Sequence, residues 1–333
     1  MQAIVIHGHG GVDQLESAVL PVPEPGPGEV LVRVEACGMN HLDVWVRKGL
    51  PGLKLEYPHI LGADVAGELA DGTKVVLNAG VSCMRCQKCL SGQDNLCRSY
   101  GLLGEHRRGG NAQYVVVPAA NVVMRPSNVS AVEAAAIPVT FTTAWQMLVL
   151  KAQVAMGETV LVLGAGSGVG SAGIQIAKLL GARVIATATG ERKLEGAWKL
   201  GADETIDTSK HDLVEAVHKL TGRRGVDVVF EHIGTAVWPA VVRACARGAR
   251  IVTCGATTGY DASVDLRHIF FKQISILGST MAPKGVLFEV LNQVAQGRLK
   301  PIVDRVLPLS QVKEAHRLIE SREVFGKIVL EVP

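Results

Sequence analysis

Four of the seven cysteines in this 333-residue chain lie within a single short segment, at positions 83, 86, 89 and 97. Thiolates separated by two, two and seven residues can enclose a tetrahedral zinc ion, and four sulfur ligands leave no coordination position for water or substrate. The surrounding residues are mostly polar or glycine, so bound metal must organise the segment. The spacing therefore predicts one structural zinc ion per chain, held by Cys83, Cys86, Cys89 and Cys97. Free or disulfide-bonded cysteines are the alternative.

A second chemical feature is the glycine-rich turn between a short apolar run and a segment with helical spacing. Glycines allow a tight turn and a close approach to a pyrophosphate, which the free N–H groups at the start of a helix attract. The strict spacing of the dinucleotide motif is not met, because position 169 is valine, and a turn without a ligand is the alternative. The predicted cofactor contacts are Gly164, Gly166, Ser167, Gly168, Val169 and Gly170.

The end of the next predicted strand bears on which nicotinamide cofactor is used. An acidic side chain there would bind the 2′-hydroxyl of NAD. The stretch 186–193 has no carboxylate where the strand ends, and Arg192 and Lys193 follow Thr189. These two cations can neutralise a 2′-phosphate, so the sequence favours NADPH and leaves NADH open. The alternative is that both are solvated residues in the first turn of the next helix.

The elements that must position these residues fall into two groups. Up to about residue 125, strand-like runs are separated by glycine and proline. After about residue 130, apolar strands alternate with helical segments, which predicts a parallel sheet covered by helices. We therefore expect an α/β fold with a Rossmann-type doubly wound domain and a β-rich domain. The closing strand 327–330 has no place in a complete doubly wound sheet, so we expect it to return to the first domain.

Composition excludes several classes of function. A net charge of +3 is too small to indicate a nucleic-acid or membrane-surface partner. No Lys or Arg precedes Arg33, so a secretory signal is not expected, and the uncharged stretch 159–177 is interrupted by glycines. We expect a cytoplasmic protein without a transmembrane segment.

The cysteine spacing, the glycine turn and the β-rich first part together resemble the medium-chain dehydrogenase/reductase superfamily. The cysteine segment resembles the structural-zinc lobe of the zinc-containing alcohol dehydrogenases. The resemblance implies a GroES-like catalytic domain over residues 1–128 and 281–333 and a Rossmann domain over 129–280, with the active site in the cleft between them. It also implies a homodimer or homotetramer formed through the strand at 274–278.

The resemblance does not extend to the catalytic zinc. The three ligand positions of the alcohol dehydrogenases hold Asn40, Ala63 and Val139, and the proton-relay hydroxyl falls at Leu42. Without a Lewis acid an alcohol is difficult to acidify, whereas an activated acceptor needs less assistance. The segments around Asn40, around residues 138–145 and around 326–330 are similar to the zinc-free quinone oxidoreductases. We therefore expect a reductase that transfers a hydride from NADPH to a quinone, an enone or a related carbonyl.

This second resemblance assigns roles to individual residues. Asn40 would donate a hydrogen bond to the substrate carbonyl as negative charge develops there. His41 would contact a cofactor phosphate or donate a proton, and Asp43 would orient its neighbours. Thr143 would lie near the nicotinamide. The remaining expected cofactor contacts are Gly255 and Ala256 through their backbone and Lys327 at a phosphate.

Two alternatives remain open from the sequence. The first is an alcohol dehydrogenase with a remodelled catalytic metal site drawn from Cys37, His41, His59 or Asp64. The second is an NADPH-binding protein without enzymatic activity.

Overall fold

The computed structural model describes all 333 residues, which form two compact units. Unit 1 comprises Met1–Thr142 and Ala282–Pro333, and unit 2 comprises Thr143–Met281. The boundary expected from the sequence lay at residue 128, fourteen residues earlier than the division at residue 142. The intervening segment belongs to unit 1 because its first helix packs on four strands of that unit.

The strands are β1 Gln2–Val5, β2 Glu16–Val19, β3 Glu29–Gly38, β4 Asp64–Glu68, β5 Lys74–Leu77, β6 Gly80–Val81, β7 Gly101–Leu102, β8 Tyr114–Pro118, β9 Val122–Met124, β10 Thr159–Val162, β11 Arg183–Ala188, β12 Glu204–Asp207, β13 Val226–Glu231, β14 Cys245–Thr253, β15 Ser275–Gly278, β16 Val303–Pro308 and β17 Lys327–Glu331. The α-helices are α1 His41–Lys48, α2 Gln87–Leu90, α3 Ala131–Ala134, α4 Pro138–Trp145, α5 Gly168–Leu179, α6 Glu191–Lys199, α7 Leu213–Leu220, α8 Trp238–Ala244, α9 Leu266–Lys272, α10 Gly285–Ala295 and α11 Val312–Glu320. A π-helical turn, Gln146–Lys151, follows α4.

Unit 2 is built on a six-stranded parallel sheet with the strand order β12-β11-β10-β13-β14-β15. This is the doubly wound arrangement, which confirms the fold class expected from the sequence. The central strands β10, β11 and β13 are almost wholly buried because helices α5 to α9 connect the strands and pack against the sheet. The strand order reverses between β10 and β13, and ligands of such sheets bind where the carboxyl ends of those two strands separate.

Unit 1 contains a seven-stranded sheet in the order β16-β17-β3-β4-β5-β9, with β8 pairing with β3. All pairs in this sheet are antiparallel except β16 with β17. Strand β17 pairs with the end of β3, where Val329 lies opposite Gly38. The C-terminal strand therefore returns to the first part of the chain, as expected, and carries Lys327 to the residues that follow β3. No helix is both long and apolar enough to cross a bilayer.

Candidate active site and metal centre

The four cysteines of unit 1 lie close together in a lobe formed by α2 and the loops around it. The Sγ atoms of Cys83 and Cys97 are 3.5 Å apart, those of Cys86 and Cys89 are 3.5 Å apart, and those of Cys83 and Cys89 are 3.9 Å apart. All four sulfur atoms lie within 4.8 Å of one another, and none is in a disulfide. A tetrahedral zinc ion with Zn–S bonds of about 2.3 Å requires sulfur separations of about 3.8 Å. The donor set therefore fits a structural zinc ion and leaves no position for substrate.

Lys284 attaches this lobe to the start of α10. Its backbone N–H donates to Asp94 Oδ1 at 2.9 Å, and its ammonium donates to the carbonyl of Gly80 and lies 3.4 Å from Asp94 Oδ2. The Lys284 side chain is only 11% exposed, so these contacts are shielded from solvent. Burial lowers the pKa of Lys284, while the negative charges of Asp94, Cys89 and Cys97 oppose that shift. The lobe thus has a buried cation beside its thiolates.

The candidate substrate site of unit 1 centres on Asn40, which precedes α1 and is 8% exposed. Lys327 Nζ donates to Asn40 Oδ1 at 2.6 Å and to Asp64 Oδ2 at 2.8 Å. Asn40 Nδ2 in turn donates to Asp64 Oδ2 at 2.9 Å. Both Lys327 and Asp64 are almost fully buried, so the ion pair and the amide form one closed polar network. Strand β17 supplies the cation, β4 the carboxylate and the end of β3 the amide.

Asp43, in the first turn of α1, holds the same loop in place through hydrogen bonds. Its two carboxylate oxygens accept the backbone N–H groups of Asn40, at 2.7 Å, and Gly62, at 2.9 Å. Burial raises the pKa of Asp43 to about 6, against the opposing effects of those N–H donors and Lys327. The carboxylate contacts backbone only among the described hydrogen bonds, which fits the orienting role expected for it.

The positions that match catalytic zinc ligands do not form a metal site. Ala63 and Val139 have no donor atom in their side chains, and the backbone N–H of Val139 is bonded to Asp64 Oδ1 at 2.8 Å. The four-cysteine set is the one group of three or more Cys, His, Asp or Glu side chains whose donor atoms converge. His59 instead lies 3.1 Å from the carbonyl of Gly104, to which its Nε2 donates.

The other two residues expected to take part in catalysis have different surroundings. His41, the first residue of α1, is partly exposed, and its ring centroid lies 5.9 Å from that of Trp45. Thr143 is buried in unit 2, and its Oγ1 lies 3.7 Å from the sulfur of Met281. His41 therefore keeps an accessible ring, whereas Thr143 has only a weak polar contact within its unit.

The glycine turn of unit 2 leads directly from β10 into α5. Gly164 has a φ of +60°, and a Cβ there would lie 2.9 Å from the ring of His232, so a larger residue would not fit. Ser167 caps the helix by accepting the N–H of Gly170 at 2.9 Å. A Cβ at Gly170 would lie 2.4 Å from the carbonyl of Gly164. These close approaches explain the glycines and leave the free N–H groups of α5 for an anion.

The residues expected to select the cofactor follow β11. Thr189 and Arg192 are exposed. The side chain of Lys193 packs against the glycine turn, since a Cβ placed at Gly166 would lie only 2.9 Å from Lys193 Cδ. The carboxylate at the end of the neighbouring strand, Asp207, accepts both the N–H and the hydroxyl of the serine two residues later. The structure thus brings Lys193 to the turn predicted to bind pyrophosphate.

Two carboxylates with structural roles at the site were missed by the sequence reasoning. Asp64 was considered only as a possible metal ligand, although it pairs with Lys327. Glu231, fully buried at the end of β13, accepts the N–H groups of Ile233 and Gly234, each at 2.6 Å, and the hydroxyl of Thr253, also at 2.6 Å. It ties together the loops after β13 and β14, and the second loop carries Gly255 and Ala256. An acidic residue directly after the apolar run 228–230 was the available signal.

The expected contact of Lys327 with a cofactor phosphate stays a prediction. The sequence suggested a contact with a cofactor phosphate, but the ammonium is buried and donates to Asn40 and Asp64. These two bonds use two of the three hydrogens of the ammonium. Lys327 is therefore part of the Asn40 network.

This combination of a doubly wound nucleotide-binding sheet, a β-rich unit and a four-cysteine lobe defines a nicotinamide-dependent oxidoreductase. Residues 26–127 match the alcohol dehydrogenase GroES-like domain, and residues 168–296 match the zinc-binding dehydrogenase family. The chain belongs to the medium-chain dehydrogenase/reductase superfamily.

Relatives cover the whole chain and include more than one activity. An NAD-dependent alcohol dehydrogenase of Sulfolobus acidocaldarius is 30% identical, with 100% of both chains covered. A quinone oxidoreductase of Homo sapiens is 28% identical over 99% of this chain and 97% of its own. A crystal structure of an NAD-dependent alcohol dehydrogenase shares 53% identity with a TM-score of 0.97 and full coverage of both chains. A crotonyl-CoA carboxylase/reductase in complex with NADP shares 27% identity with a TM-score of 0.93, covering 99% and 94%.

Proposed function

We propose that this oxidoreductase reduces a quinone, an enone or a related activated carbonyl with NADPH and without a catalytic zinc ion. The observation that carries the proposal is that Asn40 is hydrogen-bonded to Lys327 and Asp64. Of the three positions that match catalytic zinc ligands, only Asn40 has a side chain with a polar atom. A zinc ion would have to displace a buried ammonium from a neutral amide, which is a poor ligand for zinc. The chemistry of the donors at these positions therefore favours catalysis without Lewis-acid assistance.

Unit 2 supplies the binding of the cofactor, which provides a hydride when bound. The glycine turn and the start of α5 suit the pyrophosphate, because free N–H groups and the helix dipole favour an anion there. Arg192 and Lys193 supply positive charge after β11, where no carboxylate is available for a 2′-hydroxyl. Glu231 holds the two loops at the carboxyl ends of β13 and β14 in place.

Unit 1 supplies the recognition of the substrate. Asn40 Nδ2 has two hydrogens, of which one is bonded to Asp64 and the other faces the carbonyl of Gly38 at a long 3.4 Å. The second hydrogen is therefore available to a substrate carbonyl oxygen, whose negative charge increases during hydride addition. The partly exposed ring of His41 is a suitable proton donor once the hydride has been transferred. A single amide donor assists less than a metal ion, so the acceptor must already be activated by conjugation.

An alcohol dehydrogenase is the second candidate, because relatives with 30% and 53% identity are NAD-dependent alcohol dehydrogenases. It would need a catalytic metal site made from other residues. Cys37 and Asp64 are fully buried, with Asp64 held by Lys327, and His59 is bonded to a carbonyl. These residues do not converge on a common point, which weighs against this candidate.

The test is a direct comparison of the two reactions on one preparation. The protein is treated with a chelator that removes loosely bound metal and assayed for NADPH oxidation with 1,4-naphthoquinone and 2-cyclohexenone, and for NAD reduction with ethanol. We expect turnover with at least one activated carbonyl and none with ethanol. Ethanol oxidation that disappears on chelation and returns with added zinc would contradict the proposal.

The partner of this chain is proposed to be a second copy. Strand β15 is an edge strand, and three of its four residues are exposed. Ile276 is 47% exposed, and Phe270 and Phe271 on α9, whose rings are in contact, are 60% and 64% exposed. An open edge beside exposed aromatic residues favours pairing between copies. Sedimentation velocity should give a dimer or tetramer, and a monomer at micromolar concentration would contradict this.

A further inference from the structure

The shortest contact in the Asn40 network is the one between Lys327 Nζ and Asn40 Oδ1, at 2.6 Å. The ammonium is 4% exposed, so water does not screen its effect on the amide. Asp64 offsets the ammonium charge at 2.8 Å, which makes the burial of a cation tolerable. A charged donor thus bonds directly to the amide oxygen of Asn40, while the amide nitrogen donates to Asp64 and makes only a long contact, 3.4 Å, with the carbonyl of Gly38.

The orientation of the Asn40 amide follows from its two partners. An ammonium only donates, so the amide oxygen must face Lys327. A carboxylate only accepts, so Nδ2 must face Asp64. A strong hydrogen bond to the oxygen draws electron density from the amide nitrogen, because the two atoms share one π system. The remaining N–H of Nδ2 therefore becomes a stronger donor than that of an ordinary asparagine.

We propose that Lys327 is a positioning residue that polarises Asn40 and so strengthens its amide as the hydrogen-bond donor to the substrate carbonyl oxygen. The inference rests on the proposed function, since it assigns the group that assists the substrate carbonyl. NADPH is oxidised to NADP⁺, the acceptor gains a hydride and then a proton, and neither Asn40 nor Lys327 changes its protonation. The buried ammonium thus supplies through the amide part of the polarisation that a metal ion supplies elsewhere.

A purely structural ion pair between Lys327 and Asp64 is the rival explanation. Replacing Lys327 alone would leave a buried carboxylate unpaired and would threaten the fold. The informative comparison is therefore between Asp64→Asn and the double variant Asp64→Asn with Lys327→Met, in which only the ammonium differs. Thermal unfolding shows whether both fold. If the double variant with methionine does not fold, Asp64→Asn with Lys327→Gln is used in its place. The glutamine keeps a neutral hydrogen-bond donor at position 327.

The kinetic readout is kcat for reduction of 1,4-naphthoquinone by NADPH. We expect loss of the ammonium from the Asp64→Asn background to lower kcat about a hundredfold, as for removal of an oxyanion donor, with a small change in KM. With glutamine the loss should be about tenfold. When Asn40→Ala is added to the Asp64→Asn background, replacing Lys327 should change kcat less than about threefold, because Lys327 acts through Asn40. Equal losses in both backgrounds, or no loss in either, would overturn the proposal.

A second readout needs no turnover. The carbonyl stretch of bound ¹³C-labelled 1,4-naphthoquinone, measured by infrared difference spectroscopy without cofactor, reports polarisation by the amide. Loss of the ammonium should shift this frequency back towards its value in water. An unchanged frequency would overturn the role of Lys327. A wild-type chain that polarises the carbonyl but reduces no quinone or enone would instead overturn the proposed function.

Discussion

The ammonium of Lys327 lies 2.6 Å from the amide oxygen of Asn40, although the two residues are 287 positions apart in the sequence. The contact exists because β17 pairs with the end of β3, directly before Asn40. The C-terminal strand therefore completes a site whose other residues come from the first 65 positions. This places a fixed positive charge beside the first of the three positions that hold catalytic zinc ligands in the alcohol dehydrogenases.

The cations after β11 are predicted to set the cofactor preference. Replacing Arg192 and Lys193 by alanine should raise KM for NADPH about 10- to 100-fold, because charge-assisted hydrogen bonds to the 2′-phosphate are lost. KM for NADH should rise much less, since only Lys193 lies beside the turn predicted to bind the pyrophosphate that both cofactors share. Lys199→Ala, an exposed lysine on the same helix, is the matched control and should alter neither value. Equal losses for both cofactors would show that these residues do not read the 2′-phosphate.

Asp43 is predicted to make the fold less stable as pH rises through its titration. Burial raises its pKa from 3.8 to about 6, so the folded chain binds this proton more tightly than the unfolded chain. Between about pH 4 and 6, the free energy of unfolding should fall by about 1.4 kcal/mol per pH unit relative to Asp43→Asn. Urea unfolding of both proteins across this range measures the difference. A difference that does not vary with pH would rule out the shifted pKa.

His316 is predicted to act in the opposite direction. It is fully buried on α11 with no hydrogen-bond partner at either ring nitrogen, and burial, helped by Arg47, lowers its pKa to about 3. The unfolded chain therefore binds this proton more tightly, and stability is lost as pH falls below about 6.5.

The variant His316→Leu isolates this effect. Relative to it, the wild type should lose about 1.4 kcal/mol per pH unit between pH 6.5 and 4.5. At pH 8 the leucine variant should be at least as stable as the wild type, because it removes two unsatisfied buried nitrogens. His7→Leu, at an exposed position, should show no such pH dependence. A large loss of stability in His316→Leu at pH 8 would reveal a partner for the ring.

Lys284 is predicted to retain zinc in the cysteine lobe. Its buried ammonium lies beside Asp94 and opposes the negative charge of the thiolates. Lys284→Met should transfer zinc to the chelator 4-(2-pyridylazo)resorcinol about tenfold faster than the wild type, as expected for loss of an outer-shell partner. Lys88→Met removes an exposed lysine of the same lobe and should change the rate less than about twofold. Equal rates for all three proteins would exclude a role for Lys284.

The sequence predicted best those features that depend on local patterns. The four-cysteine spacing, the glycine turn and the strand alternation each lie in one segment, and the sheet order of unit 2 agrees with the expected doubly wound fold. The return of the last strand to the first domain was also expected, since a complete sheet left it without a partner.

The network around Asn40 could not be predicted from the sequence, because Asp64 and Lys327 lie at the starts of two distant strands and Asn40 lies in the loop after a third. Lys327 was expected at a phosphate, since nothing near residue 327 indicates a partner 263 positions away at Asp64. The division at residue 142 differed for a similar reason, because helix α3 joins unit 1 through tertiary packing and not through its own pattern. Glu231 was missed because a single acidic residue at a strand end resembles an ordinary solvated one.

The most direct test of zinc-free catalysis is to measure the number of zinc ions per chain together with the activity. Elemental analysis of the purified protein should give one zinc ion per chain, and replacing Cys97 with serine should remove it. NADPH-dependent reduction of 1,4-naphthoquinone should proceed at full rate with one zinc per chain and should not increase with added zinc. Two zinc ions per chain, with activity that follows occupancy of the second, would contradict a site built from Asn40, Asp64 and Lys327.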